Sequence, residues 1–232
     1  NEKYLITNLK IVGKINGTDL KFIREMAGCD FNWEKTDGKL SILDLSEAKI
    51  VAGGDAYTWD KYGDKFTSND KLGDGAFSGC SGLTSLTIPS GVTSIGDWAF
   101  DGCSGLTSLT IPSGVTSIGK WAFYGCSGLT SIYVYPENLP ELGTDIFGRC
   151  DAKNCTVYVP KGTGNAYFRS AEFGYFYNIV EFDATGIDKV TTSTNAKEVS
   201  RYSANGQRLS DPAKGLNIVK YSDGSVKKVA VQ

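Results

Sequence analysis

The chain has 232 residues and a formal net charge of −2, so it is long enough for one large or two small domains and lacks the Lys/Arg excess that nucleic-acid binding needs. It contains no histidine, which excludes Ser-His-Asp and Cys-His catalysis and removes the commonest metal ligand. No apolar run approaches the roughly 18 residues that a membrane-spanning helix needs.

The first predicted element is a helix within the segment NGTDLKFIREMAG, Asn16–Gly28. Thr18 is a candidate N-cap, and Gly28 is a natural stop after the last turn. We expect residues 1–37 to form a helical N-terminal cap, because a stack of repeated units leaves an open end that must be covered.

The next stretch, GGDAYTWDKYGDKFTSND or Gly53–Asp70, is rich in aspartate and aromatic residues and interrupts the repeated pattern around it. Clustered carboxylates favour Ca²⁺, and a glycan-binding insert is the other functional interpretation. The D-x-[DN]-x-[DN]-G spacing of a calcium loop is absent. We therefore interpret the stretch as a solvated loop with a few packed aromatic residues, and we keep Trp59 as a candidate ligand-contacting residue.

Two stretches of 23 residues that differ at only two positions then follow one another, Gly79–Asp101 and Gly102–Tyr124. In the first, Leu86 and Ile88 alternate with polar residues, which is the period of a β-strand. Pro89 ends the strand because it cannot donate to a ladder. One such unit cannot bury its apolar side alone, whereas stacked neighbours bury a continuous core.

Weaker copies lie on both sides of this pair. They are LSILDLS (Leu40–Ser46), LGDGAF (Leu72–Phe77), GCSGLTSIYVYPENLPELGTDIFGRC (Gly125–Cys150) and CTVYVP (Cys155–Pro160). We count about five to six turns of the repeat. The sequence therefore predicts a mainly β fold with short helices, a solenoid of 23-residue repeats over residues 38–164.

A stack of coils places equivalent residues in rows, because neighbouring strands lie about 4.8 Å apart. One predicted row contains Ser85, Ser108, Ser131 and Thr156. The next row, named the Thr/Tyr row below, contains Asp44, Thr87, Thr110, Tyr133 and Tyr158. Tyrosine offers contact area at little entropic cost, so this row with Tyr135 and Trp59 is our candidate ligand-binding site. Tyrosine is also common in strands for packing alone, and that alternative stays open.

Four cysteines recur once per copy, namely Cys80, Cys103, Cys126 and Cys150. A metal site needs ligands that converge, whereas this spacing gives a line, so we predict buried structural thiols and no metal site. A disulfide between Cys150 and Cys155 is left open.

Three segments follow the repeats. Residues 165–185 are dense in aromatic residues and are expected to cap the far end of the solenoid. Residues 186–197 are Ser/Thr-rich and predict a linker. Residues 198–232 contain four short strand patterns separated by ANGQ, DPAKG and SDG turns, which predict a small C-terminal β module.

The framework I-P-x-x-V-x-x-I-G-x-x-A-F-x-x-C is intact at Ile88–Cys103 and at Ile111–Cys126. It resembles the BspA-like leucine-rich repeat of bacterial surface proteins, and the resemblance extends over about residues 38–160. It implies an exported protein, extracellular or on the outer cell surface after removal of a signal peptide, in a family linked to adhesion. It supplies no catalytic motif. The tail resembles the secretion and sorting modules of such proteins.

We therefore expect a monomeric, non-catalytic, adhesin-like protein that needs no cofactor and presents the Thr/Tyr row to a protein or glycan. One alternative is a structural spacer with an anchoring or sorting tail. The other is a carbohydrate-active enzyme, which needs two carboxylates about 5–10 Å apart. The nearest pair in sequence, Glu137 and Glu141, lies on a predicted loop where nothing fixes a general acid.

Overall fold

The structure is a computed structural model that describes residues 2–183 in full and, beyond them, the backbone of four strands between residues 198 and 231. The strands up to residue 95 are β1 (Asn8–Ile15), β2 (Ile42–Ile50), β3 (Gly53–Asp60), β4 (Gly63–Thr67), β5 (Lys71–Leu72), β6 (Ser85–Thr87) and β7 (Ser94–Ile95). Then follow β8 (Ser108–Ile111), β9 (Ser117–Ile118), β10 (Ser131–Val134), β11 (Glu141–Leu142), β12 (Thr156–Pro160) and β13 (Asn178–Phe182). The tail strands are β14 (Glu198–Ser203), β15 (Arg208–Leu209), β16 (Gly215–Tyr221) and β17 (Val226–Val231). The helices are α1 (Gly17–Met26) and α2 (Gly164–Arg169), with 3₁₀ turns at Glu2–Leu5 and Phe173–Tyr175.

Two parallel sheets stack the coils. The long sheet has the strand order β13-β12-β10-β8-β6-β2-β1-β17-β16-β14-β15, and the pairs from β13 to β17 are parallel. The short sheet has the order β11-β9-β7-β5. Each coil therefore runs along one strand of the long sheet, turns, passes through the short sheet and returns. This mainly β architecture with few helices and a parallel sheet is the one predicted for a leucine-rich-repeat solenoid.

The core between the sheets repeats from coil to coil. Phe77, Phe100, Phe123 and Phe147 form a stack with ring centroids 5.6, 5.1 and 5.6 Å apart. All four rings are buried, and they are supported by the strand residues Leu86, Leu109, Ile132 and Val157. Burial of this much apolar surface is the main source of stability in such a fold.

Hydroxyl groups add a second repeating contact on the outside of the coils. Thr84 Oγ1 donates to the carbonyl oxygen of Ser41, Thr107 Oγ1 to that of Thr84, and Thr130 Oγ1 to that of Thr107, each at 3.1 Å. The three donors occupy the same position in three copies of the segment GCSGLT, which explains the equal distances. The solenoid is therefore regular at atomic scale through the central copies.

The N-terminal helix forms where it was predicted, but its N-cap is Asn16 and the prediction of Thr18 is wrong. Asn16 Oδ1 accepts from the Thr18 N–H at 3.0 Å, and its own N–H donates to the Asp19 carboxylate at 3.1 Å. Gly28 follows the last turn with φ of +100°, as expected of a helix stop. That residues 1–37 act as a cap stays a prediction.

The stretch Gly53–Asp70 was interpreted as a solvated loop, and this was wrong: it forms the antiparallel hairpin β3–β4. The sequence alternation in AYTW and DKFT was too short to separate a strand from a loop. Tyr57 is buried on one side of the hairpin and donates to the carbonyl oxygen of Asp74 at 2.9 Å. Trp59 and Tyr62 remain exposed.

The aromatic segment after the repeats packs against the end of the phenylalanine stack. Phe173 and Phe176 lie 5.2 and 5.1 Å from the ring of Phe147, and both are buried. Buried Tyr167 donates to the carbonyl oxygen of Pro136 at 2.7 Å.

The four tail strands were predicted in sequence and are present in the structure. They pair antiparallel with one another, and β17 pairs parallel with β1, with Lys10 opposite Lys227. The tail thus extends the long sheet beyond β1, at the opposite end from β13. The predicted linker, residues 186–197, lies outside the described residues. That residues 198–232 form a module of their own, and the predicted boundaries, stay predictions.

Candidate ligand-binding site

The Thr/Tyr row is aligned as the repeat period predicts. Asp44 pairs in register with Thr87, Thr87 with Thr110, Thr110 with Tyr133, and Tyr133 with Tyr158. The neighbouring row is aligned as well, and Ser131 Oγ lies 3.0 Å from Ser108 Oγ. All five members of the Thr/Tyr row are partly exposed, on the opposite side of the strands from the buried core. The row is therefore a continuous surface feature that crosses five strands.

One end of the row carries charge. Lys10 is in register with Asp44, and its Nζ lies 3.2 Å from Asp44 Oδ2 and 2.6 Å from Glu47 Oε1. Burial alone would raise the pKa of Asp44, but hydrogen bonds from Ser46 and the Lys10 ammonium outweigh burial and hold that pKa below its ordinary value. Lys10 was not predicted, because β1 lies outside the repeat and its register cannot be counted from it. Glu47, on β2, was not predicted either, because it lies beyond the segment that resembles the repeat.

The other end of the row is aromatic. Tyr133 and Tyr158 stack with centroids 4.6 Å apart and planes 9° from parallel. Phe182 meets Tyr133 edge-on at 6.3 Å. Tyr135 does not belong to the row, but it contacts the same Phe182 ring at 5.3 Å. Phe182 thus joins Tyr135 to the stacked pair Tyr133 and Tyr158, and the repeat pattern did not identify this fourth ring.

Tyr135 also lines a depression of about 570 Å³ with Pro136, Leu139, Glu137 and Glu141. Both glutamates are exposed. Neither carboxylate therefore lies in the buried, apolar environment that typically surrounds a general acid.

Trp59 lies apart from the row. It lines a cleft formed by the β3–β4 hairpin, the segment at Trp33 and the turn at Trp98. Sequence reasoning missed Trp33 and Trp98, because the first lies in the predicted cap and the second fits the repeat framework. The sequence did contain a signal for Trp98. The equivalent position in the aligned copies is Gly75, Trp98, Trp121 or Asp145, so the repeat itself does not require tryptophan there.

The cysteines are buried in the core and are not exposed as reactive groups. All six are buried free thiols, including Cys150 and Cys155. Cys103, Cys126 and Cys150 donate to the carbonyl oxygens of Phe77, Phe100 and Phe123 at 3.2 to 3.3 Å. Burial raises the pKa of Cys80 and of Cys150 to about 12, so neither is a nucleophile near neutral pH.

Within the part of the chain that the structure describes, no three His, Cys, Asp or Glu side chains are grouped so that they could hold a metal ion. Among the same residues, no helix has the length and apolar character needed to cross a membrane.

Comparison with known proteins points to the repeats. Residues 65–179 match, in six copies, a family described as the BspA type leucine rich repeat region. A leucine-rich repeat protein from Bacteroides ovatus ATCC 8483 is similar at 26% sequence identity with a TM-score of 0.43. The similarity covers 62% of this chain and 37% of that protein, so the chain corresponds to little more than a third of its length. No curated protein matches the chain significantly.

Proposed function

We propose that this chain, whose residues 65–179 match a BspA type leucine rich repeat region, is an exported, non-catalytic binding protein of the cell surface. Its ligand is a protein or a glycan that contacts the Thr/Tyr row. The observation that carries the proposal is the register of that row across five strands, from Asp44 to Tyr158.

The composition of the row suits binding more than packing. The core lies on the other side of the strands, so Thr87 and Thr110 are not needed to fill it. The stacked pair Tyr133 and Tyr158 offers a rigid aromatic surface with hydroxyl groups, and such surfaces lose little entropy when a partner binds. A ligand that follows the row would meet charge at Asp44, hydroxyls in the middle and aromatic rings at the end.

The test is a binding screen on arrays of extracellular-matrix proteins and glycans, followed by surface plasmon resonance on any ligand found. We expect the double variant Tyr133→Ala/Tyr158→Ala to bind at least about tenfold more weakly, because aromatic residues dominate interface energies. The control is Phe168→Ala/Tyr177→Ala, which removes two exposed rings elsewhere. Equal binding by both variants would refute the site, and wild-type protein that binds nothing would refute the function.

The spacer with an anchoring tail is the competing proposal. The pairing of β17 with β1 argues against it, because a tail strand that is part of the long sheet is not free to engage an anchor. Fractionation of cells that express the chain with and without residues 198–232 distinguishes the two. We expect the same location for both, whereas release of the truncated chain would favour the anchor.

A carbohydrate-active enzyme is the remaining alternative, and we propose that the chain is not one. Polysaccharide hydrolysis by the wild-type chain that is lost in Glu137→Gln or Glu141→Gln would overturn this.

A further inference from the structure

A second cleft lies beside the β3–β4 hairpin and shares no residue with the Thr/Tyr row. Its volume is about 440 Å³, and sites that hold small molecules typically measure about 300–1,000 Å³. Four aromatic side chains line it, namely Trp33, Trp59, Tyr62 and Trp98. Aromatic walls with a few polar groups are typical of a small-molecule site.

Trp33 is fixed before any ligand arrives. Its Nε1 donates to the carbonyl oxygen of Trp59 at 2.9 Å, which ties the ring to the hairpin. The buried guanidinium of Arg24 lies 5.3 Å from the centroid of its ring, and Arg24 in turn donates to the carbonyl oxygen of Gly75 at 2.6 Å. Trp33 is nevertheless 38% exposed. An exposed ring that is already held in place binds a ligand without a large loss of side-chain entropy.

Trp98 occupies a position where the backbone favours glycine. The turn at this point of the repeat requires positive φ, which is +62° at Gly75, +52° at Trp98 and +54° at Trp121. Glycine adopts this conformation freely, whereas a bulky residue there is a genuine outlier. The backbone conformation therefore does not explain why tryptophan occurs here, and the contacts of its indole ring must account for it. Stacking on Trp121 at 5.3 Å accounts for one contact of the ring, and the cleft is the other.

The charges that line the cleft nearly cancel. Lys65 Nζ lies 3.0 Å from Asp60 Oδ2 and 3.7 Å from Asp74 Oδ2. The Lys65 ammonium therefore forms ion pairs with two of the carboxylates that line the cleft. Asp101 and Lys61 add one charge of each sign. A strongly charged ligand gains little from such a lining, because no sign dominates. Carboxylates and an ammonium held in place still offer acceptors and donors to hydroxyl groups.

We propose that this cleft binds one or two sugar rings of a neutral glycan. A pyranose ring presents an apolar C–H face and a rim of hydroxyl groups. The indole rings of Trp33, Trp59 and Trp98 supply apolar surface for the face. The groups of the Lys65 ion-pair network supply hydrogen bonds for the rim. A quaternary ammonium ligand also favours aromatic walls. The ion pairs of Lys65 with Asp60 and Asp74 leave less negative charge for such a cation, which favours the neutral ligand.

The test uses the full chain on an array of neutral oligosaccharides, acidic oligosaccharides and a trimethyllysine peptide, with affinities then measured by isothermal titration. We expect binding to neutral glycans only. Trp98→Gly, which the backbone tolerates because Gly75 holds the same position, is expected to weaken binding at least about tenfold. Tyr177→Ala is the control, because it removes an exposed ring outside the cleft, and it is expected to keep the affinity within about twofold.

Trp98→Gly could lower the thermal unfolding midpoint and so weaken binding indirectly. A second variant, Trp59→Ala, covers that case because it changes an exposed residue of the hairpin. It is expected to weaken binding as Trp98→Gly does, with an unchanged midpoint. The double variant Tyr133→Ala/Tyr158→Ala is expected to keep cleft binding, so this site can fail or hold independently of the Thr/Tyr row. Binding to no neutral glycan, binding to the trimethyllysine peptide or the acidic glycans instead, or full affinity in Trp59→Ala would each overturn the proposal.

Discussion

At the scale of single residues, the Glu172 carboxylate accepts the hydrogen bonds that the backbone of a following coil accepts elsewhere in the solenoid. In the inner coils, the N–H groups of the turn donate to backbone carbonyls of the next coil, for example Trp121 N to Thr144 O at 3.1 Å. At the last coil, the N–H groups of Asp145 and Ile146 donate to the two oxygens of Glu172 at 2.9 and 2.6 Å. The carboxylate thus replaces the missing coil.

We expect Glu172→Ala to lower the free energy of unfolding by about 1–3 kcal/mol, because two backbone donors lose a charged acceptor. Urea denaturation measures the change. Glu137→Ala, at an exposed position of the same charge, is the control and should change stability by less than about 0.5 kcal/mol. An equal effect of the two variants would show that the last turn does not depend on Glu172.

Asp44 predicts how stability responds to acid. Its pKa is held below the ordinary value in the folded state, so its contribution is present above the pKa of the unfolded chain and is lost as pH falls through the folded pKa. That window lies below about pH 4. We expect Asp44→Asn to flatten the decline in stability over this window, measured as the urea midpoint between pH 6 and pH 2.5. A decline in Asp44→Asn as steep as that of the wild type would show that Asp44 does not contribute in this window.

At the scale of the repeated elements, the buried cysteine thiols should be unreactive in the folded chain. The six thiols are buried, and burial raises the pKa of Cys80, Cys150 and Cys155 to about 12. We expect no reaction with a thiol reagent at pH 8 in native buffer and six equivalents in denaturant. Four equivalents in denaturant would reveal a Cys150–Cys155 disulfide, and fast reaction in native buffer would contradict the burial.

The elements differ in how far sequence could predict them. The Thr/Tyr row was predictable because a fixed period of 23 residues determines which residues are in register, and Thr87, Thr110 and Tyr133 align as counted. The cleft was not predictable, because Trp33 and Trp59 come from segments outside the period. The pairing of β17 with β1 was equally hidden, since parallel pairing of distant segments leaves no local pattern.

At the scale of the whole molecule, the tail covers a sheet edge. Without β17, the backbone donors and acceptors of β1 would face solvent, and exposed edges pair with other chains. We expect the fragment 1–183 to remain folded, since its described side chains bury a core of their own that runs from Leu9 to Phe176, but to self-associate.

Sedimentation velocity of the fragment and of the full chain, at matched concentrations, measures the difference. Hydrogen exchange should show faster exchange in β1 of the fragment when it is kept dilute. A fragment that stays monomeric with β1 amides as protected as in the full chain would show that the tail does not shield this edge.

The threonine hydrogen bonds, equal at 3.1 Å in successive coils, also imply that the number of coils sets the distance between the two ends of the Thr/Tyr row. Because such a coil hydrogen-bonds to its predecessor and its successor in the same way, we expect that a copy can be inserted or deleted without disturbing its neighbours. Each inserted copy would move the tyrosine pair one strand spacing, about 4.8 Å, away from the lysine–aspartate pair at the other end. The number of copies would then tune the distance between two surface features in discrete increments, while leaving both of them chemically intact.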